Sequence, residues 1–137
     1  HELAHVHDFR MLLNMLPEEF SRKSTSSMED RLHKISMPVW SEYYACRVTA
    51  GIDAESTLSG YIETFLSALD NFPGRIREEI TSYQHHGNVD LLWNEVSQKF
   101  GLLFKFAAYA IGHLAGIERS IEDVSKEAYE ALKFRTQ

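Results

Sequence analysis

The spacing of apolar residues between positions 58 and 72 constrains the fold of this chain most strongly. Such residues recur there at intervals of three and four: Leu58, Tyr61, Ile62, Phe65, Leu66, Leu69 and Phe72. This is the period of one face of an α-helix, and no segment of four or more residues shows the strict alternation typical of a half-buried strand. We therefore predict an all-α fold, and a length of 137 residues favours one structural domain.

Proline, glycine and capping residues set the expected boundaries of a bundle of about six helices. Residues 1–52 are expected to form the helices that carry the candidate functional residues described below. Residues 53–137 are expected to form a helical body that packs on them. The first predicted helix spans residues 1–16, a short second helix begins at Ser26 or Ser27, and a third spans 38–50, with Pro38 in its first turn and Gly51 as a left-handed cap. The fourth helix is capped by Asp53 and broken by Pro73-Gly74, and two more helices follow at 75–86 and 89–115. The final helix is opened by Ser120 and Asp123 and buries Val124, Ala128, Ala131 and Leu132.

The charge, the cysteine content and one apolar segment of the chain make some classes of function and location less plausible than others. The formal net charge is −6 and the 14 Lys and Arg residues are scattered, so we expect no nucleic-acid partner. Cys46 is the single cysteine, which excludes an internal disulfide and fits the cytoplasm. The segment 100–117 is apolar apart from Lys105 and His113, and these two polar residues favour a buried central helix over a membrane span.

The first five residues, His1-Glu2-Leu3-Ala4-His5, form an HExxH motif. On a helix the i, i+4 spacing places two imidazoles on one face, so both can bind the same ion, and zinc is the ion such ligands favour. The glutamate beside the first histidine can then act as a general base on a metal-activated water. The motif predicts Zn²⁺ ligands at His1 and His5 and a catalytic Glu2.

Glu42 lies in the segment Trp40-Ser-Glu-Tyr-Tyr-Ala-Cys46, on a helical stripe that is otherwise apolar. A buried carboxylate needs a cationic partner, either a metal ion or a buried arginine. The other interpretation is a partly exposed first-turn glutamate that is stabilised by the helix dipole. Glu42 is therefore the candidate third ligand.

Together these residues resemble the gluzincin metallopeptidases, which combine HExxH with a glutamate on a later helix, and especially the small ImmA/IrrE-like enzymes. The later helix of that family reads Glu-x-x-Ala with an apolar residue three further on, as Glu42, Ala45 and Val48 do here. The resemblance implies that His1, His5 and Glu42 bind zinc and that Glu2 is the general base. It also implies an α+β zincin domain, of which strands preceding residue 1 would form part.

Asp8 lies one turn beyond His5 on the same face of the first helix. It could hydrogen-bond a ligand histidine or serve as an alternative third ligand, or it could simply pair with a nearby arginine or face solvent. The longer metzincin motif requires glycine at position 8 and histidine at position 11, so Asp8 and Met11 exclude that class.

Four further side chains are candidates for stabilising a transition state, since hydroxyl, imidazole and guanidinium groups donate hydrogen bonds to a developing oxyanion. They are Tyr43, Tyr44 and Arg47 near Glu42, and His33 near the Ser-rich segment. Core packing for a tyrosine and a solvated position for His33 are the alternatives.

We therefore expect a zinc metallopeptidase acting on a peptide or protein substrate. The alternative is a non-enzymatic helical interaction or regulatory module with a structural metal or none. In either case the small residues between Ala107 and Gly116 permit close helix packing, within the chain or in a homodimer through the 89–117 helix.

Overall fold

The computed structural model of the chain describes residues 1–15, 26–52 and 54–133. Within these ranges the fold is all-α, as predicted, with six helices and no strand. The helices are α1 (Glu2–Met15), α2 (Ser27–Thr49), α3 (Ala54–His86), α4 (Val89–Gly116), α5 (Ile121–Val124) and α6 (Lys126–Lys133).

Helix α4 lies at the centre of the fold. Helices α2 and α3 both pack along it, α1 packs on α2, and α6 contacts α3. Two groups of buried apolar side chains form the core between α3 and α4, one around Leu58, Ile62, Ala110 and Leu114, the other around Phe65, Leu69 and Leu103. The apolar stretch of the 89–115 segment thus forms a central helix, as expected. No helix of the described part of the chain has the length and apolar character needed to cross a membrane.

The prediction that two prolines delimit helices is wrong. Pro38 lies inside α2 and Pro73 lies inside α3, so each pair of predicted helices is one continuous helix. An interior proline removes one backbone hydrogen bond and crowds the carbonyl four residues before it. Because α2 and α3 pack along α4, burial of their apolar side chains against it offsets this local loss.

Capping residues delimit α2 partly as predicted. The Ser26 hydroxyl accepts a hydrogen bond from the Glu29 backbone N–H at 3.1 Å, so Ser26 is the N-cap. The left-handed cap predicted at Gly51 is wrong, because α2 ends at Thr49 with Ala50 as a right-handed C-cap (φ −59°), and Gly51 does not have a positive φ. Gly87 has the positive φ instead, at 66°, directly after α3. The Asp53 cap lies outside the described residues.

The final helix begins as predicted and is then interrupted. The Ser120 hydroxyl accepts from the Asp123 backbone N–H at 3.2 Å and donates to its carboxylate at 2.5 Å. The chain leaves helical geometry at Ser125, which caps α6 by accepting from the Ala128 N–H. Val124 and Ala128 pack on the core, whereas the side chains of Ala131 and Leu132 lie outside the described part of the chain.

Two glycines of α4 bring it into close contact with α2. A Cβ atom on Gly112 would overlap the backbone carbonyl of Tyr43, and one on Gly116 would overlap that of Arg47. Two members of the predicted series of small residues therefore mediate helix packing within the chain. Because Tyr43 follows Glu42 directly, this contact also fixes Glu42 relative to α4.

Replacing Gly112 by alanine should destabilise the fold by more than about 3 kcal/mol, because the added methyl meets backbone rather than a side chain that can move. For a chain of this length that corresponds to a drop in Tm of roughly 10 °C, measured by circular dichroism. Gly101→Ala on the same helix is the matched control. Its Cβ would meet only Ile35 at 4.0 Å, so the higher helix propensity of alanine should raise Tm by a few degrees. A Gly112→Ala protein as stable as wild type would contradict the close packing of α2 and α4.

Candidate metal centre

Three of the predicted site residues come together where α1 packs on α2. One nitrogen each from His1 and His5 and one oxygen from Glu42 lie within 4.8 Å of one another. The Nε2 atoms of His1 and His5 are 3.5 and 3.4 Å from the same carboxylate oxygen, Oε2 of Glu42. Neighbouring donors on a tetrahedral zinc ion, at bonds of about 2.0–2.1 Å, are about 3.4 Å apart. The spacing of each imidazole from Glu42 therefore fits such an ion.

The carboxylate of Glu42 is buried, with 11% of its side chain exposed. Its Oε2 atom is fully buried and accepts no hydrogen bond from any described residue. A buried carboxylate oxygen without a partner loses its hydration at a cost of about 1–3 kcal/mol or more. Oε2 faces the two imidazole nitrogens, which is where a cation would satisfy all three groups.

The two histidines differ in what their other ring nitrogen contacts. Nδ1 of His5 forms a 2.8 Å hydrogen bond with the Ser41 hydroxyl. When Nδ1–H donates to this hydroxyl, the lone pair of His5 lies on Nε2 and faces Glu42. Nδ1 of His1 is 3.6 Å from the carboxylate of Glu2. The two imidazoles pack edge to face, with their centroids 4.7 Å apart.

Lys105 of α4 also contacts the site. Its Nζ atom lies 2.6 Å from Oε1 of Glu42, the carboxylate oxygen that does not face the histidines. This hydrogen bond is the main reason that the pKa of Lys105 lies above its ordinary value, so the lysine is charged at neutral pH. Sequence reasoning missed this residue. The available signal was a lysine inside the apolar segment 100–117, where an ionised side chain needs a partner.

Glu2 and Asp8, the other two predicted site residues of α1, differ in their exposure to solvent. Glu2 is 93% exposed, on the solvent side of His1. Asp8 is buried and accepts a 3.2 Å hydrogen bond from the Trp40 indole N–H. The structure thus gives Asp8 an indole partner, and the three-residue cluster does not include it.

The four predicted transition-state stabilisers lie outside the three-donor cluster. Tyr44 hydrogen-bonds His7 at 2.7 Å, and Arg47 is exposed. Tyr43 packs on Trp40, and both line an apolar groove between α2 and α4 together with the exposed His33. Tyr43 and Tyr44 adjoin Glu42 in sequence, but the contacts described for their side chains are with Trp40 and His7.

A different pair of tyrosines lies beside the cluster. A pocket of about 410 Å³ is lined by His1, Thr49, Ile52, Thr57, Tyr61, Tyr109 and His113. Tyr61 stacks on Tyr109, and burial raises the pKa of Tyr61 to about 12 and raises that of Tyr109 as well. Both phenols are therefore neutral donors at physiological pH. The sequence pattern assigned Tyr61 to the core and left Tyr109 without a role.

Cys46 lies next to the cluster, with Sγ 3.7 Å from Nε2 of His1. Burial raises the pKa of its thiol, so at neutral pH it is a protonated, uncharged group. The side chain is almost completely buried.

Comparison of the chain with protein-family models, with curated proteins and with solved structures finds no match.

Proposed function

We propose that this protein is a zinc-dependent metallopeptidase in which His1, His5 and Glu42 hold the ion. The observation that carries the proposal is the buried Oε2 of Glu42, which lacks a hydrogen-bond partner among the described residues and faces two imidazole nitrogens at 3.4–3.5 Å.

The donor set matches a catalytic zinc site. Two imidazoles and one carboxylate are three protein ligands, as in zinc enzymes that keep the fourth position for water or substrate. A bound zinc ion would polarise a peptide carbonyl and lower the pKa of water at that position towards neutrality. A set of three protein ligands favours a hydrolytic site over a structural one, because structural zinc sites have four protein ligands.

Glu2 is the proposed general base. Its carboxylate is exposed and near His1, so rotation of a few side-chain bonds can bring it to a water or substrate on the solvent side of the cluster. Such contacts are commonly longer in substrate-free structures than in the reacting complex. Glu2 would accept the proton of the attacking water and return it to the leaving amine.

The pocket beside His1 is the proposed position of the scissile peptide. Tyr61 and Tyr109 offer neutral hydroxyl donors there, and such donors can stabilise an oxyanion that develops on the carbonyl. These two residues replace Tyr43, Tyr44, His33 and Arg47 as our candidates for this role. We place the enzyme in the cytoplasm, where the free thiol of Cys46 stays reduced.

A non-enzymatic helical module is the second candidate, and one observation favours it. The groove between α2 and α4 has a volume of about 1170 Å³ and is lined mainly by apolar side chains, among them Trp40, Phe104 and Ile111. Each of these three is more than 40% exposed. A surface of this kind suits an apolar partner helix or a second copy of the chain, through the 89–117 helix.

Hydrolysis of a mixed peptide library by the purified protein tests the proposal. We expect cleavage that a zinc chelator abolishes and that added Zn²⁺ restores, with fragments identified by mass spectrometry. Zinc-loaded, folded protein that cleaves no peptide in the library would support the helical module instead.

A further inference from the structure

The two oxygens of the Glu42 carboxylate have different surroundings. Oε1 lies 2.6 Å from the ammonium of Lys105, and Oε2 faces His1 and His5 without a hydrogen bond from the described residues. Lys105 comes from α4, whereas the three donors come from α1, α2 and the residue before α1. The central helix therefore contributes a side chain to a site that is otherwise built by its neighbours.

We propose that Lys105 is a positioning residue that restricts Glu42 to one metal-binding oxygen. This inference rests on the proposed metal site. A charge-assisted hydrogen bond of 2.6 Å is among the stronger interactions available to a carboxylate. Chelation of an ion by both oxygens would require Oε1 to give up that bond, so the lysine disfavours it.

The number of oxygens that Glu42 supplies determines how many positions remain for water and substrate. With one oxygen from Glu42 and two imidazoles, the protein provides three donor atoms. With both oxygens it provides four, and the water that a catalytic zinc ion also binds would then make the ion five-coordinate. Lys105 thus favours a four-coordinate ion with one position for water or substrate, and it also balances the buried carboxylate charge before a metal binds.

Replacing Lys105 by methionine keeps most of the aliphatic side chain and removes the ammonium. In the Co²⁺-substituted variant we expect the intense visible absorption bands typical of a four-coordinate ion to be lost, because Oε1 becomes free to bind and raises the coordination number. Lys105→Arg retains a charged donor and should restore the wild-type spectrum. Lys99→Met, on the same helix but paired with Glu79 at 3.5 Å, is the matched control and should leave the spectrum unchanged.

Three outcomes are decisive. An unaltered Co²⁺ spectrum in Lys105→Met would overturn the role of Lys105 while leaving the metal site intact. A wild-type protein that binds neither Co²⁺ nor Zn²⁺ would instead contradict the proposed function itself.

If Lys105→Met does not fold, X-ray absorption of the zinc-loaded wild type decides, because chelation by both oxygens shortens the zinc-to-carboxyl-carbon distance. One zinc–oxygen bond from Glu42 is expected, and a chelating carboxylate would refute the inference.

Discussion

Glu42→Ala is expected to weaken zinc binding by more than about 100-fold, since loss of an outer hydrogen-bond partner of a metal ligand already costs 10–100-fold. The variant removes the oxygen that faces both imidazoles and leaves only His1 and His5 as donors. It also leaves the ammonium of Lys105 without its carboxylate partner. Competition with a coloured chelator measures the change in Kd directly.

Glu63→Ala is the matched control for this comparison. Glu63 is exposed on α3 and contacts Ser59, so its removal should leave zinc affinity at the wild-type value. Equal affinity in Glu42→Ala and wild type would show that Glu42 is not a ligand. In that case Asp8, released from Trp40, would become the candidate third ligand.

Glu2→Gln is expected to lower kcat by about 10²–10⁴ while zinc content stays at the wild-type level. Glutamine keeps the size of the side chain but cannot accept a proton, and Glu2 is not among the three clustered donors. The effect should fall mainly on kcat rather than KM, because the exposed side chain contributes little to substrate binding. Steady-state hydrolysis of a peptide identified from the library, together with metal analysis, measures both quantities.

Glu63→Gln carries the same chemical change at a remote exposed position and should hydrolyse the peptide like wild type. Retained activity in Glu2→Gln would remove Glu2 from the mechanism. Loss of zinc together with activity would mean instead that Glu2 supports the metal site, by orienting His1.

Local sequence patterns predicted most of the helical structure because helix periodicity and caps depend on neighbouring residues. The amphipathic pattern from Leu58 to Phe72 and the Ser26 cap are confirmed. The breaks expected at Pro38 and Pro73 are wrong, because packing on α4 outweighs the local cost of a proline. Helix boundaries thus depend on tertiary contacts that a single segment does not show.

The candidate metal-binding cluster could be predicted where its residues form a local sequence pattern. The i, i+4 spacing of His1 and His5 and the carboxylate of Glu42 on an apolar stripe led to the three residues that the structure brings together. Lys105 could not be assigned, because its partner lies 63 residues earlier in the chain and only the packing of α2 on α4 joins them.

The side chains around the cluster likewise depend on tertiary packing. Tyr43 and Tyr44 are candidates because they are close to Glu42 in sequence, but adjacent residues on a helix point in different directions. Tyr61 and Tyr109 reach the pocket beside His1 from α3 and α4. Their position depends on how three helices pack, which the sequence pattern alone does not define.

The zinc content of wild-type protein, purified without chelator and measured by inductively coupled plasma mass spectrometry, decides whether His1, His5 and Glu42 form a zinc site. We expect one zinc ion per chain, retained through gel filtration and lost in Glu42→Ala. A folded wild-type protein that holds no zinc, and takes up none when Zn²⁺ is added, would refute the proposed site.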